Sequence, residues 1–251
     1  MASHTRSASL PSSLHSTESN VDEELQLLRA CVTAPSATIG AACDGLRRLG
    51  DVYSSIEQIM CLPSSQAAGL SLSSPQQRQA VEEELDRSLV LIDLCNAMQE
   101  SLAELKTSVH ELQLVLKRGD VVAAQSKVEC FVRLAKKAQK PFKKTTMTIR
   151  AAREGCSSMV RLLGEAREMA ISLLESTSRL LPKQIASSSN ASRWSLVSRR
   201  FQKTCKLVCE QEQLQALERT MGDLENGAEF LFRRLIHIRV SLLNIVQMYS
   251  F

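Results

Sequence analysis

Aromatic residues and glycine are both scarce in this sequence, and their scarcity limits the possible folds. Phe, Trp and Tyr together make up 4% of the chain, and only 9 glycines and 6 prolines occur among 251 residues. A protein of many short strands needs β-branched and aromatic side chains, and it needs Gly-rich turns between the strands. The composition therefore predicts an all-α fold. The long amphipathic segments described below make an elongated helical bundle the expected form of that fold.

The motifs of the common enzyme classes are also missing. The sequence contains no GxGxxG, P-loop, HExxH or GxSxG motif. The acidic run Glu82-Glu83-Glu84 is explained by a solvated face in the early turns of a helix, where the helix dipole favours negative charge. Four histidines occur, far apart in the sequence: His4, His15, His110 and His237. We therefore expect a non-enzymatic protein with no catalytic residues, no metal site and no cofactor.

Neither a secretory leader nor a membrane-spanning run is present. The N-terminus is polar and Ser-rich, and the uncharged run from Val240 to Phe251 is too short to cross a bilayer. Eight cysteines lie between Cys31 and Cys209 without a CxxC pair, which favours reduced thiols over disulfides. These features predict an intracellular protein without a transmembrane span, in the cytoplasm in the simplest case. Peripheral membrane and nuclear locations stay open.

Charge is divided unequally between the two halves of the chain. Residues 1–129 carry 10 Lys/Arg against 17 Asp/Glu, a net charge of −7, and residues 130–251 carry 21 against 10, a net charge of +11. The basic side chains concentrate in one segment that contains no acid: Arg133, Lys136, Lys137, Lys140, Lys143, Lys144, Arg150 and Arg153. The first interpretation is a solvated face that balances the acidic half. Binding to anionic lipid comes second, and binding to nucleic acid is disfavoured because no recognition motif or aromatic interleaving accompanies the charges.

The C-terminal segment Leu224–Tyr249 has the strongest amphipathic pattern in the chain. Apolar residues recur there at alternating spacings of four and three, which predicts a helix with one buried stripe. We call five residues of this stripe the seam: Leu231, Leu235, Ile238, Leu242 and Ile245. The rest of the chain is expected to be arranged around this helix.

Local signals divide the chain into four regions. Residues 1–20 are rich in Ser, Thr and Pro, which predicts a disordered tail. Residues 21–181 form a helical region with a long central helix, which starts at the Ser74-Pro75-Gln76-Gln77 capping signal and ends near Gly119, and Asp120 caps the helix that follows. Residues 182–194 are predicted to be a flexible Ser-rich loop after Pro182. Residues 195–251 form a C-terminal helical segment, with a break expected near Gly222 or Gly227, that packs back on the bundle.

Five short motifs distributed over nearly the whole chain resemble those of a plant-specific family, the BYPASS-like proteins. They are HTRSASLPS at 4–12, LPSSQ at 62–66, SLVLIDLC at 88–95, WSLVS at 194–198 and LFRRLIHIRVSLLNI at 231–245. The resemblance implies a link to root and shoot development and brings no catalytic activity with it.

Two functions follow as expectations. The first is a non-enzymatic adaptor or regulatory protein in plant development that acts through contacts of its helix faces with unidentified proteins. The alternative is a peripheral membrane protein that binds anionic lipid through the basic segment 133–153 and the apolar C-terminal helix. The oligomeric state does not follow from the sequence.

The N-terminal string Arg6-Ser7-Ala8-Ser9-Leu10-Pro11 resembles a binding site for 14-3-3 proteins. Arg6 stands three residues before Ser9, where a basic residue guides a kinase. Phosphate on Ser9 would add a charge of about −1.5 to −2 and three acceptor oxygens, which suit an Arg cluster on a partner. Arg6, Ser7, Ser9 and Pro11 therefore form a candidate phosphorylation and docking motif.

We predict that a peptide of residues 1–20 phosphorylated at Ser9 binds a 14-3-3 protein, because the phosphate supplies the charge that an Arg cluster recognises. A fluorescence polarisation titration measures the affinity, and the Ser9→Ala peptide is the control. Equally weak binding of the two peptides would refute the assignment.

Overall fold

The computed structural model describes residues 11–33, 38–62, 74–143, 157–188 and 203–248. All regular structure in these residues is helical, which confirms the predicted all-α fold. The six helices are α1 (Pro11–Thr33), α2 (Ile39–Cys61), α3 (Pro75–Lys117), α4 (Val121–Lys137), α5 (Ser158–Ser188) and α6 (Lys203–Met248). Helix α3 has 43 residues, so at about 1.5 Å per residue it is about 65 Å long, which accounts for the elongated bundle.

Capping side chains set where several helices begin. The Ser74 hydroxyl accepts a hydrogen bond from the Gln77 backbone N–H at 3.2 Å, and the Asp120 carboxylate accepts one from the Ala123 N–H at 3.0 Å. Between α3 and α4, Gly119 has a φ of 72°, a left-handed conformation that favours glycine. The predicted start of α3, its end near Gly119 and the cap of α4 are therefore confirmed.

Four helices form the centre of the bundle, in the cyclic order α2, α6, α3 and α5. Helix α6 packs on α2 and α3, and α5 packs on the same two helices from the other side. Helix α1 fills the groove between α2 and α5, and α4 fills the groove between α3 and α5. The two grooves beside α5 are therefore each covered by a further helix. No helix of the described residues covers the two grooves beside α6 in the same way.

Polar contacts fix the direction of α6 against α3. Lys106 forms an ion pair with Glu225 at 2.5 Å, and Gln113 donates to Glu218 at 3.0 Å. Because the residue number rises along α3 while it falls along α6, the two long helices are antiparallel. Their whole overlap is available for packing between the apolar stripes.

Glycines allow α2 and α6 to approach closely. A Cβ atom at Gly227 would lie 3.2 Å from the Leu46 Cβ atom, and one at Gly50 would overlap the Phe230 ring. The predicted break of the last helix near Gly222 or Gly227 is wrong, because α6 runs without interruption through both. At Gly227 the missing side chain makes room for α2, and this packing outweighs the low helix propensity of glycine.

Helix α1 begins at Pro11, within the segment that the sequence assigns to the tail. Proline is favoured in the first turn of a helix, where its missing N–H costs nothing. Further along, the Ser158 hydroxyl of α5 donates to the Glu18 carboxylate at 3.1 Å. This tertiary contact favours a helix that Ser and Thr alone would not stabilise. Residues 1–10 lie outside the described residues.

Pro182 does not end its helix, which contradicts the predicted start of the loop 182–194. Helix α5 continues to Ser188 with Pro182 inside it. Burial of apolar side chains stabilises the helical turn around Pro182, because Leu181 before it and Ile185 after it are both in the core. Apolar contact of this turn offsets the backbone hydrogen bond that proline cannot donate. The remainder of the predicted loop lies outside the described residues.

Candidate functional site

The seam of α6 is entirely buried. Leu231 and Leu242 have no exposed surface, and Leu235, Ile238 and Ile245 are at most 5% exposed. These residues face the junction of α2 and α3, so they hold the bundle together and are not available to a ligand. Their role in this structure is to form the core.

Arg233 and Arg234 follow one another in α6 but lie in different environments. The sequence places both on a solvent-facing side. Arg233 is exposed and pairs with Glu229 on the same helix, as expected. Arg234 is different: its guanidinium lies 5.1 Å from the centroid of the Phe230 ring and 4.0 Å from the Glu57 carboxylate of α2. A rotation of about 100° per residue brings position 234 round to the α2 side.

Exposed apolar side chains lie along the groove between α3 and α6. Arg239 of α6 bridges the two helices at this level, since it donates to the Leu85 carbonyl and, at 3.1 Å, to the Ser88 hydroxyl. Next to this bridge are four large apolar residues that are between 37% and 50% exposed. We call them the α3/α6 apolar surface: Leu89, Ile236, Val240 and Leu243.

The groove between α2 and α6 is polar and contains a cavity of about 530 Å³. Its lining carries three carboxylates and one thiol, from the residues Cys43, Asp44, Arg47, Asp51, Asp223, Asn226, Gly227 and Phe230. Burial, followed by the negative charges of Asp223 and Asp44, raises the pKa of Cys43 to about 11. The thiol therefore stays protonated at neutral pH, which is the opposite of what a nucleophilic cysteine requires.

A charge cluster is buried where α2, α3 and α5 meet. The Arg167 guanidinium of α5 donates to the Glu84 carboxylate of α3, and the two side chains are 1% and 5% exposed. Arg87 lies 3.9 Å from the same carboxylate. The Nε and Nη2 atoms of Arg167 are buried and have no hydrogen-bond partner. Tyr53 of α2 is buried nearby, and its pKa is raised first by burial and then by the charge of Glu84.

The sequence predicts a solvated face for the acidic run Glu82-Glu83-Glu84, and this prediction is wrong for Glu84, which is buried. Arg167 and Arg239 were not identified at all. A signal does exist for Arg167, since it stands four residues after Leu163 and four before Ile171, both buried, and therefore occupies an apolar position of the helical stripe. A single charge in such a stripe indicates a buried ion pair, but the sequence does not show which acid is its partner.

The basic segment is divided by the packing of α4. Lys137 of the segment pairs with Glu104 of α3 at 3.1 Å, and Lys127, which precedes the segment in α4, pairs with Glu111 at 2.6 Å. The other described basic side chains of the segment point to solvent: Arg133, Lys136, Lys140 and Lys143. Lys144, Arg150 and Arg153 lie outside the described residues, as do Arg6, Ser7 and Ser9 of the tail motif, of which Pro11 alone is described, as the first residue of α1.

The described side chains form no cluster of three or more His, Cys, Asp or Glu that could hold a metal ion. Among the same residues, no helix combines the length and the apolar character that crossing a membrane requires. The described residues present two open grooves, between α2 and α6 and between α3 and α6, together with a buried charge cluster and a basic surface.

Comparison with known families gives one match. A family model described as Protein BPS1 covers residues 45–245, a range that contains four of the five motifs noted in the sequence. The resemblance drawn from those motifs is confirmed. Comparisons with curated proteins and with solved structures find no match.

We predict that removing one member of the Glu84–Arg167 pair destabilises the protein more, per side chain replaced, than removing both members together. Arg167→Met and Glu84→Gln should each lower the free energy of unfolding by about 3–5 kcal/mol, because Glu84→Gln takes the acid from the buried Arg167 and Arg167→Met leaves Glu84 with only the longer contact to Arg87. The double variant should lose clearly less than the sum of the two. Urea unfolding of the four proteins measures this cycle.

The exposed pair of Arg47 with Asp44 is the control for this cycle. Its side chains are 68% and 67% exposed, so the same cycle should give a coupling below about 1 kcal/mol. Additive losses at Glu84 and Arg167 would contradict a buried, coupled pair.

Proposed function

Because the chain belongs to the family described as Protein BPS1, which indicates a plant developmental regulator, we propose that it acts as a non-enzymatic adaptor. In this proposal it binds other proteins through its helix faces. The binding site is the α3/α6 apolar surface, and the partner contributes an amphipathic helix. The observation that carries the proposal is the unequal covering of the grooves in the bundle.

Helices of the chain itself show what such a groove accepts. Helix α4 lies against α3 and α5 and buries Ala124, Phe131 and Ala135 there. The groove on the other side of α3, against α6, has no helix of the described residues over it, and its apolar side chains are exposed. A partner helix with apolar residues at i, i+3, i+4 and i+7 would complete the bundle on this side as α4 does on the other.

Charges beside the surface indicate the composition of the partner helix. Asp86 and Asp93 flank Leu89 on the solvent side of α3, and both are exposed. Because 86, 89 and 93 are spaced by three and four residues, they share one helix face. A helix whose apolar stripe is bordered by Lys or Arg would place opposite charges against these carboxylates, which favours association and correct orientation.

The alternative function from the sequence, a peripheral membrane protein, loses one of its two supports. It relies on the apolar C-terminal helix as a lipid contact, but the continuous apolar stripe of α6 is used in the core, and the exposed Ile236, Val240 and Leu243 belong to the α3/α6 apolar surface. The basic segment remains available as a lipid contact, because Arg133, Lys136, Lys140 and Lys143 are exposed.

We predict that Val240→Ser combined with Leu243→Ser reduces partner binding by about tenfold or more, because both anchors are lost from the centre of the surface. The matched control is Leu27→Ser combined with Leu62→Ser, at exposed leucines of α1 and of the residue after α2. Proteins recovered from plant tissue with the wild-type chain would be quantified by mass spectrometry against both variants. Calorimetry with a helical peptide from each candidate then gives its affinity.

The adaptor proposal requires at least one protein that binds the control like the wild type and binds the Val240/Leu243 variant much more weakly. If every specifically recovered protein binds the two variants equally, the α3/α6 apolar surface is not the site.

A further inference from the structure

The outward face of α4 combines positive charge with an apolar end. Val122, Glu129, Arg133 and Lys136 are exposed on the side of α4 away from its buried residues, which face α3 and α5, and Lys140 and Lys143 are exposed just after the helix ends at Lys137. The spacing of the four α4 residues places them along a single stripe of the helix, which carries one acid, Glu129, beside the two basic residues. Helix α4 has 17 residues, so at about 1.5 Å per residue the stripe is about 25 Å long.

More basic side chains lie on α4 and just after it than form ion pairs with the acids of α3. The lysines at its flanks are paired, Lys127 with Glu111 and Lys137 with Glu104. Arg133, Lys136, Lys140 and Lys143 have no ion pair and no side-chain hydrogen bond within the described residues. A solvated face would also expose these side chains, so the apolar end at the α3–α4 turn is the feature that distinguishes a lipid contact from it.

The apolar end lies at the turn between α3 and α4. Val122 is 82% exposed and Val121 59% exposed, and Leu114 in the last turn of α3 is 40% exposed. Lys117 and Arg118, also exposed, stand between them in the sequence. Apolar side chains at an exposed tip, with basic residues directly behind them, match the layers of a bilayer surface, where hydrocarbon lies just below anionic headgroups.

We propose that the α3–α4 turn and the outward face of α4 bind an anionic lipid bilayer. The valines enter the interface between the headgroups and the acyl chains, and the four outward basic residues, Arg133 and Lys136 of α4 and Lys140 and Lys143 just after it, contact anionic headgroups. This membrane contact is independent of the adaptor site, because the α3/α6 apolar surface lies on the opposite side of α3 from α4. The exposed valines favour a bilayer over nucleic acid, since a phosphate backbone offers no apolar layer to receive them.

Co-flotation of the full-length chain with vesicles tests the proposal. Wild-type protein should float with phosphatidylcholine vesicles that contain phosphatidylserine, should stay in solution with phosphatidylcholine alone, and should be released by high salt. Replacement of Arg133, Lys136, Lys140 and Lys143 by Gln should weaken partitioning by about six hundredfold, at about fivefold for each charge. Val121→Ser with Val122→Ser should weaken it by several-fold without a change in charge.

The control removes the same number of charges from exposed sites on other helices: Arg29→Gln, Arg179→Gln, Arg219→Gln and Arg233→Gln. It should float nearly as well as the wild type, and all variants should melt like the wild type, because every replaced side chain is exposed. Failure of the wild type to float, or equal loss in the two Gln variants, overturns the proposal. So does tight binding of duplex DNA that depends on the α4 residues and not on the valines.

Discussion

The packing of the α6 stripe against both α2 and α3 is the contact on which the rest of this structure depends. Leu224, Ala228 and Leu231 have no exposed surface, and the stripe continues through the other seam residues to Ile245. Glycines bring α2 close enough to enclose it, above all Gly227 opposite Leu46. Since α6 joins two helices that α5 joins from the other side, its burial closes the ring of four. The two grooves beside α6 are exposed because α1 and α4 pack into the other two grooves of the ring, beside α5.

A charge pair inside an otherwise apolar bundle restricts how the helices can slide past one another. Apolar stripes tolerate shifts of one turn, because leucine against leucine is similar in several registers. Glu84 and Arg167 tolerate none, since a shift of α5 against α3 would separate the buried Arg167 guanidinium from the Glu84 carboxylate. Arg239 adds a second polar contact between α6 and α3 at Ser88. Together these contacts fix the level at which the α3/α6 apolar surface and the outward face of α4 are presented.

The features that the sequence predicted correctly are those set by neighbouring residues. The Ser74 cap, the Asp120 cap and the seam depend on spacings of three and four along one helix. The features it predicted wrongly depend on packing between helices. Pro182 and Gly227 look like breaks until a neighbouring helix is seen to hold the backbone, and Glu84 resembles the solvated Glu82 until Arg167 is placed against it. The open grooves could not be predicted either, because they are defined by where α1 and α4 dock.

Leu242 and Leu243 allow the most direct test of this architecture, because identical neighbouring side chains should behave in opposite ways. Leu242 is fully buried between α2 and α3, and Leu243 is 39% exposed at the groove. Thermal melting followed by circular dichroism would compare Leu242→Asp with Leu243→Asp. The account predicts that Leu242→Asp loses several kcal/mol of stability and much of its helix content, since a carboxylate enters the core. It predicts that Leu243→Asp melts close to the wild type. Equal melting of the two variants, or a larger loss at Leu243, would contradict the placement of α6.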